Sequence, residues 1–270
     1  MAFRVARTVA TAAAAARAGL IAPLLLAFVG ASAQEPVVPP ALSLTCDVPP
    51  ADIAAPAPLP HLEAAIAARR QIKVLAIGSS STAGIGASSA AHNYPAQFEA
   101  ILEKTFRGLD VVVQNRGVSG EVATATADRL RTIVGLDKPD LVLWQVGTND
   151  ALARLPVDDF KATVSGTVRW LKEHQIDTVL VGLQYTFAVS KDEYYAAIRR
   201  ALHEIAAGEN VPLVRRYEAM EYIERGKKGQ LLSADELHLN DLGYRCMAEH
   251  VVRAVVVSAF LKPKRLGPGR

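Results

Sequence analysis

Three consecutive serines, Ser79, Ser80 and Ser81, follow the apolar run 74–77 and Gly78. An apolar run that ends in glycine and small polar residues is typical of a buried parallel strand that enters a turn. A hydroxyl at the carboxyl end of such a strand, beside the free N–H groups of a following helix, is placed to attack a carbonyl carbon. Ser80 is therefore a candidate nucleophile, although glycine and serine are also common in turns without a catalytic role.

Three further segments contain side chains that suit acyl-transfer chemistry. They are residues 115–120, 147–150 and 233–238. Each has a structural explanation on its own, with Gly120 as a turn glycine, Asn149 as a helix cap and Asp235 as the cap of a local turn. Their joint occurrence at the ends of apolar segments favours a shared site.

The elements that position these residues follow from the hydrophobic pattern. Five apolar segments predict strands at 74–77, 109–114, 141–146, 178–183 and 211–214. Helical spacing predicts helices at 61–70, 94–106, 122–134, 157–174, 193–207, 217–225 and 241–261. The alternation predicts an α/β fold, a three-layer α/β/α sandwich with a five-stranded parallel sheet in flavodoxin-like order. The polar segments then meet at the carboxyl edge of the sheet.

With these motifs in place, the sequence resembles the SGNH hydrolases, also called GDSL-type esterases and lipases, from about residue 72 to residue 261. The family's Gly-Asp-Ser motif and its downstream glycine correspond to Gly78-Ser79-Ser80 and Gly84, and its loop glycine to Gly120. Its Gly-x-Asn-Asp and Asp-x-x-His motifs correspond to Gly147-Thr148-Asn149-Asp150 and Asp235-Glu236-Leu237-His238, the latter followed by Asn240 and Gly243.

The resemblance implies a role for each matching residue. Ser80 is the expected nucleophile, His238 the base that takes its proton, and Asp235 the acid that orients the imidazole. The N–H groups of Ser80 and Gly120 and the side-chain amide of Asn149 are the expected oxyanion hole. No cofactor and no metal are needed for this chemistry.

The sequence departs from the family at Ser79, which stands where the family usually has aspartate. This change removes a negative charge beside Ser80 but no member of the expected triad, so we expect activity to survive. Ser79 and Ser81 remain competing nucleophiles, and the register to Gly84 favours Ser80.

Two other kinds of site receive little support. The segment Gly84-Ile85-Gly86 has Ser89 where a dinucleotide-binding fingerprint requires a third glycine. Asp235, Glu236, His238 and Asp241 include metal-ligating types, but acids near the start of a helix more often interact with the helix dipole.

The amino terminus has the pattern of a secretory signal peptide. Arg4, Arg7 and Arg17 precede the apolar stretch 18–29, and Ala31-Ser32-Ala33 is an A-x-A cleavage signal. We expect cleavage after Ala33 and a secreted or periplasmic protein without a stable membrane anchor; an uncleaved anchor is the alternative. The expected organisation is a signal peptide at 1–33, a Pro/Ala-rich linker or strap at 34–70, a hydrolase domain at 71–262 and a basic tail at 263–270.

The charge distribution does not favour a nucleic-acid partner. The formal net charge is +3, and removal of the three signal-peptide arginines leaves a neutral chain. Four basic residues lie at 262–270, so the body of the protein carries about −4 and no concentrated basic surface is expected.

The two cysteines, Cys46 and Cys246, leave two readings open. An exported chain sits where disulfides persist, so the pair can join the amino-terminal segment to the last helix. Two buried free thiols are the alternative.

These observations predict an exported serine esterase that hydrolyses acyl esters, including acetyl esters, of small molecules, glycans or lipids. The alternatives are an acyltransferase that uses the same serine on an envelope glycan, and a non-catalytic glycan-binding domain. The loops at 85–93, 151–156 and 184–191, with Tyr185 and Phe187, are the expected substrate-facing segments. The sequence leaves the identity of the ester and the oligomeric state open.

Overall fold

A six-stranded sheet forms the centre of the protein in this computed structural model, which describes residues 38–226 and 229–261. The strands are β1 (Ala54–Ala55), β2 (Ile72–Gly78), β3 (Val111–Gly117), β4 (Leu141–Gln145), β5 (Asp177–Val181) and β6 (Leu213–Val214). Their order across the sheet is β1-β6-β5-β4-β2-β3. Strands β2 to β6 are parallel, and their order is the flavodoxin-like one.

The predicted α/β fold is confirmed, but the prediction of a five-stranded parallel sheet was wrong in its strand count. The sixth strand, Ala54–Ala55, pairs antiparallel with β6. Two alanines produce neither an apolar run nor an alternating pattern, so sequence periodicity does not reveal this strand.

The described helices surround the sheet. They are α1 (Pro50–Ile53), α2 (Pro60–Ala67), α3 (Ser80–Ala83), α4 (Tyr94–Thr105), α5 (Ala123–Asp137), α6 (Thr148–Leu152), α7 (Val157–Glu173), α8 (Glu193–Gly208), α9 (Arg216–Arg225) and α10 (Asp241–Ala259), with a 3₁₀ turn at Ala90–His92. Helix α10 packs against α4, and α7 packs against α5 and α8. These two groups form the two helical layers.

The central strands are apolar because helices cover both of their faces. Every residue of β4 and β5 is buried. Val74 of β2 pairs with Val113 on one side and Leu141 on the other, so this register places β2 between β3 and β4. The carboxyl end of β2, where the serines lie, is therefore in the middle of the sheet edge.

The segment before β2 packs on the same core as the sheet. Leu59 and Leu62 are buried there, and Cys46 forms a disulfide with Cys246 of α10. His250, one turn further along α10, donates through Nε2 to the carbonyl of Cys46 at 2.7 Å. The structure therefore contains the disulfide and not two free thiols.

The predicted signal peptide at 1–33, the first residues of the predicted linker and the basic tail at 263–270 lie outside the described residues. Within the described chain, no helix combines the length and the apolar character needed to cross a membrane.

Candidate active site

The turn between β2 and α3 presents Ser80 at the carboxyl edge of the sheet. Gly78 ends β2 with φ of 152°, and a Cβ there would lie 2.5 Å from the carbonyl oxygen of Gln145. Glycine is therefore required for the close approach of β2 to β4. Ser80 is the first residue of α3, where a backbone N–H has no partner within the helix.

Ser80, His238 and Asp235 form a continuous line of contacts. Ser80 Oγ lies 3.1 Å from His238 Nε2, and His238 Nδ1 lies 2.6 Å from Asp235 Oδ2. Because an ionised carboxylate only accepts hydrogen bonds, the ring proton belongs on Nδ1. The lone pair of Nε2 then faces the serine hydroxyl, which is the arrangement a general base requires.

The carboxylate of Asp235 is held by several donors. Besides the imidazole, the N–H groups of His238 and Leu237 and the hydroxyl of Ser233 donate to its Oδ1, at 2.8, 3.0 and 2.8 Å. The hydrogen bond from the His238 ring, followed by the backbone and hydroxyl donors, keeps the pKa of Asp235 well below its usual range. The carboxylate therefore stays charged beside the imidazole.

The segment that carries His238 is anchored at the start of α10. Asn240 caps this helix, because its Oδ1 accepts from the N–H of Gly243 at 3.0 Å. A Cβ at Gly243 would lie 2.3 Å from the carbonyl oxygen of Leu231, so only glycine permits this contact. These contacts account for the Asn240 and Gly243 positions of the sequence motif.

The other two serines of the turn point to other partners. Ser79 Oγ donates to Gln145 Oε1 at 2.9 Å, and Ser81 Oγ accepts from Arg216 at 3.0 Å. Both side chains are buried. Ser80 is thus the serine of this turn whose hydroxyl lies against the imidazole.

The predicted oxyanion donors come from three neighbouring segments. The N–H groups of Ser80 and Gly120 have no hydrogen-bond acceptor in the part of the chain that the structure describes. Gly120 adopts φ of 78°, a conformation that favours glycine. Asn149 Nδ2 donates one hydrogen bond to the carbonyl of Glu121 at 2.9 Å, which ties its amide to the residue after Gly120 and leaves its second N–H for a ligand.

Asp150 stabilises the same loop where it enters α5. Its Oδ1 accepts from the N–H of Ala123 at 2.9 Å, at the start of α5. Burial raises the pKa of this carboxyl group, and hydrogen bonds from the N–H of Ala123 and other backbone groups offset part of that rise. Adjacent residues of the Gly-x-Asn-Asp motif therefore hold the two ends of the segment Glu121–Ala123.

Sequence reasoning assigned no individual role to three buried polar residues beside the site, although Gln184 begins the predicted substrate-facing segment 184–191. Gln145 accepts from both the N–H and the hydroxyl of Ser79, each at 2.9 Å. Gln184 and Arg216 bond to each other and to Ser81. The signal available for Gln145 was a polar residue at the end of an otherwise apolar strand; Gln184 and Arg216 stand in no recognisable pattern.

The two aromatic residues of the predicted substrate loop differ in their surroundings. Tyr185 is buried and packs edge-on against Tyr217, with ring centroids 5.2 Å apart. Phe187 is 81% exposed. Tyr185 is therefore a packing residue, and Phe187 remains open to solvent.

No group of three or more His, Cys, Asp or Glu side chains suited to a metal ion occurs within residues 38–226 and 229–261. Asp241, one of the acids considered for such a site, instead accepts from the N–H and the hydroxyl of Ser88, at 2.8 and 2.6 Å. This contact ties the loop after α3 to the start of α10.

The fold is that of the SGNH-type hydrolases, a class of esterases and lipases. Residues 45–260 match the model of the Non-GDSL lipase-like family, and the chain belongs to that family. Gly78-Ser79-Ser80, with serine in place of the aspartate of a GDSL motif, agrees with the family's description.

Solved structures share the fold at low sequence identity. The lipase/acylhydrolase from Enterococcus faecalis is 24% identical with a TM-score of 0.61, and the match covers 72% of this chain and 99% of that one. TesA is 22% identical with a TM-score of 0.59, covering 68% and 97%. A two-domain esterase (CEX) active on acetylated mannans is 19% identical with a TM-score of 0.68, covering 80% and 58%. A search of curated proteins by sequence finds no match.

Proposed function

We propose that the protein is an exported serine esterase that hydrolyses acyl esters with Ser80 as nucleophile. The observation that carries this proposal is the line of contacts from Ser80 Oγ to His238 Nε2, at 3.1 Å, and from His238 Nδ1 to Asp235, at 2.6 Å. A serine hydroxyl is a weak nucleophile at neutral pH, so an adjacent base oriented by an acid is what makes it reactive.

In the first half of the reaction, Ser80 Oγ attacks the ester carbonyl carbon while its proton moves to His238 Nε2. The carbonyl oxygen becomes an oxyanion, which the N–H groups of Ser80 and Gly120 and the amide of Asn149 stabilise. The tetrahedral intermediate then expels the alcohol, which takes the proton from His238. The products of this half are the free alcohol and an acyl ester on Ser80.

In the second half, water replaces the alcohol. His238 takes a proton from the water as its oxygen attacks the acyl carbon, and the same donors stabilise the second oxyanion. Collapse releases the carboxylic acid and returns the proton to Ser80. Asp235 remains charged throughout and stabilises the imidazolium that forms twice in each cycle.

The exposure of the site supports esters carried on bulky molecules. Gly120, Asp235 and Leu237 are exposed, so a glycan chain has access to the loops around Ser80. One structural neighbour acts on acetylated mannans. We therefore propose a short acyl group, acetyl first among them, on a glycan as the substrate to test before long-chain lipid esters.

Export has two independent supports. The Ala31-Ser32-Ala33 sequence is a cleavage signal after an apolar stretch. The disulfide between Cys46 and Cys246 suits an oxidising compartment. Mass spectrometry of the mature protein from the culture medium or periplasm should find Gln34 as the first residue; an intact amino terminus in those fractions would reject export by this route.

The activity is tested with p-nitrophenyl esters of increasing chain length, with acetylated mannan and acetylated xylan alongside. Hydrolysis by the wild type and its loss in Ser80→Ala, at unchanged thermal stability, is the expected result. Product analysis with a sugar acceptor present separates the two uses of the acyl-enzyme, because a transferase places the acyl group on the sugar and an esterase releases free acid. No turnover of any of these esters would reject the proposal.

A further inference from the structure

Gln184 is a buried residue three positions beyond β5, and all of its polar groups have partners. Its side-chain Nε2 donates to the carbonyl of Leu237 at 2.5 Å, and its Oε1 accepts from Arg216 Nη2 at 2.7 Å. Its main-chain N–H donates to Thr148 Oγ1 at 3.3 Å, and its carbonyl accepts from Tyr195 at 2.6 Å. The side chain is 3% exposed, so these bonds are shielded from water.

The partners of Gln184 adjoin the proposed catalytic groups in the sequence. Leu237 precedes His238, and Thr148 precedes Asn149. Ser81, which follows Ser80, donates to the same Oε1 at 3.4 Å. One buried residue therefore contacts the neighbours of all three groups: its side-chain amide contacts those of the nucleophile and the base, and its main-chain N–H contacts that of an oxyanion donor.

Arg216 determines which way the Gln184 amide faces. Its guanidinium is fully buried and carries only donors. Nη2 donates to Gln184 Oε1 and to Ser81 Oγ, at 2.7 and 3.0 Å, while Nε and Nη1 have no partner within the described chain. Because an oxygen must face Arg216, the amide NH₂ must face the carbonyl of Leu237.

The segment 233–238 needs such a tether. Asp235 and Leu237 are exposed, and the carboxylate of Asp235 bonds within the segment, to residues 233, 237 and 238. Among the residues that the structure describes, two hydrogen bonds reach from this segment to the opposite side of the site, one between His238 and Ser80 and one between Leu237 and Gln184. The reaction breaks and remakes the first of these in every cycle, so the second is the one that persists.

We propose that Gln184 is a positioning residue for the reaction, which holds the Leu237–His238 segment against the Ser80–Ser81 turn through its bonds to Leu237, Arg216 and Ser81. This inference rests on the proposed esterase function. Its loss leaves every proposed catalytic group present but lets the imidazole move away from Ser80. A displacement of about 1 Å is enough to lower turnover roughly 100-fold.

Two substitutions separate the bonds of Gln184. Gln184→Glu keeps an acceptor for Arg216, and gives it a countercharge, but loses the donor to Leu237. Gln184→Met keeps the length of the side chain and removes both bonds. Gln97→Glu is the matched control, because Gln97 also donates through Nε2 to a backbone carbonyl, that of His92 at 2.7 Å.

Two measurements on the full chain decide the matter. In Gln184→Glu we expect kcat to fall about 100-fold with KM changed by less than about threefold, at a melting temperature close to that of the wild type. Hydrogen exchange of the peptide spanning 233–240 should become faster in both Gln184 variants and stay unchanged in Gln97→Glu. Gln184→Met should have both a lower kcat and a lower melting temperature than the wild type.

A folded Gln184→Glu protein with wild-type kcat, or with wild-type exchange in 233–240, would overturn the positioning role. The proposed function fails in a different way, through a folded wild type that cleaves no ester. In that event the exchange comparison still decides whether Gln184 holds the segment.

Discussion

The side-chain amide of Asn149 donates a 2.9 Å hydrogen bond to the main-chain carbonyl of Glu121. This bond joins α6, the short helix after β4, to the loop after β3, directly beside Gly120. It fixes the orientation of an amide whose second N–H is the proposed donor to the oxyanion. In the proposed mechanism Asn149 therefore has two roles: it fixes the loop that contains Gly120, and it stabilises the negative charge that develops in the transition state.

Substitution of Asn149 by alanine should lower kcat by about 10²–10³-fold, equivalent to roughly 3–4 kcal/mol in the barrier. KM should change little, because the donor acts on charge that is absent from the ground state. Steady-state kinetics on the preferred p-nitrophenyl ester measures both constants. A kcat within tenfold of the wild type would remove Asn149 from the oxyanion hole.

The hydroxyl of Ser79 donates a hydrogen bond that an aspartate carboxylate at this position could not donate. The N–H and the hydroxyl of Ser79 both donate to Gln145 Oε1, so the oxygen of the Gln145 amide must face this turn. Ser79→Asp places a buried carboxylate against that oxygen and should destabilise the protein by about 3 kcal/mol. Urea unfolding measures the change.

Ser79→Ala is the control, with an expected loss of about 1 kcal/mol and unchanged kcat, since Ser79 does not contact His238. A Ser79→Asp protein as stable as the wild type would show that the Gln145 amide turns to accommodate the acid found in GDSL motifs.

Activity should rise with pH between about 5 and 8, the range in which histidine changes charge, because only the neutral imidazole accepts the serine proton. The pKa of Asp235 lies below its usual range, so its carboxylate stays charged as the pH falls through that window. Protonation of Asp235 therefore does not account for a loss of activity in that range. The dependence of kcat/KM on pH measures it, and a rate independent of pH would contradict the role of His238.

Asp235→Asn tests the acid separately. The amide NH₂ of the asparagine would donate to Nδ1 of His238, so the ring proton would move to Nε2. A protonated Nε2 cannot accept the proton of Ser80, and kcat should therefore fall about 10³-fold or more. The fluorescence spectrum and the melting temperature of the variant show whether it is folded. A smaller loss than that of Asn149→Ala would mean that Asp235 does not orient the base.

The disulfide closes a segment of 200 residues. In the chain-entropy model a cross-link of this length stabilises the folded state by about 5 kcal/mol. The double variant Cys46→Ala/Cys246→Ala should unfold at a markedly lower urea concentration, while its folded form keeps wild-type turnover. The reduced wild type should match the variant, and equal midpoints for all three forms would show that the bond contributes nothing.

Much of the fold was predictable because each central strand contains a short apolar run and the longer helices have regular apolar spacing. Strand β1 was not predictable, because Ala54 and Ala55 show no hydrophobic pattern and form a strand only by pairing with β6 at the edge of the sheet. The cysteine pairing also stayed open, because the 4.9 Å between the Cα atoms of Cys46 and Cys246 results from tertiary packing.

The residues of the candidate site also fall into two groups, those that the sequence predicts and those that only the structure reveals. Ser80, Gly120, Asn149, Asp235 and His238 stand in motifs that a resemblance can match, and the structure brings them to one edge of the sheet. Gln184 and Arg216 are recognised only from their contacts, because a buried amide and a buried guanidinium acquire meaning from partners that are distant in sequence.

The most direct test of the central claim is to identify the serine that reacts with a fluorophosphonate probe by mass spectrometry of the labelled peptide. We expect one adduct, on Ser80, that is absent in Ser80→Ala and present in Ser79→Ala and Ser81→Ala. An adduct on Ser79 or Ser81, or continued labelling of folded Ser80→Ala, would contradict Ser80 as the nucleophile.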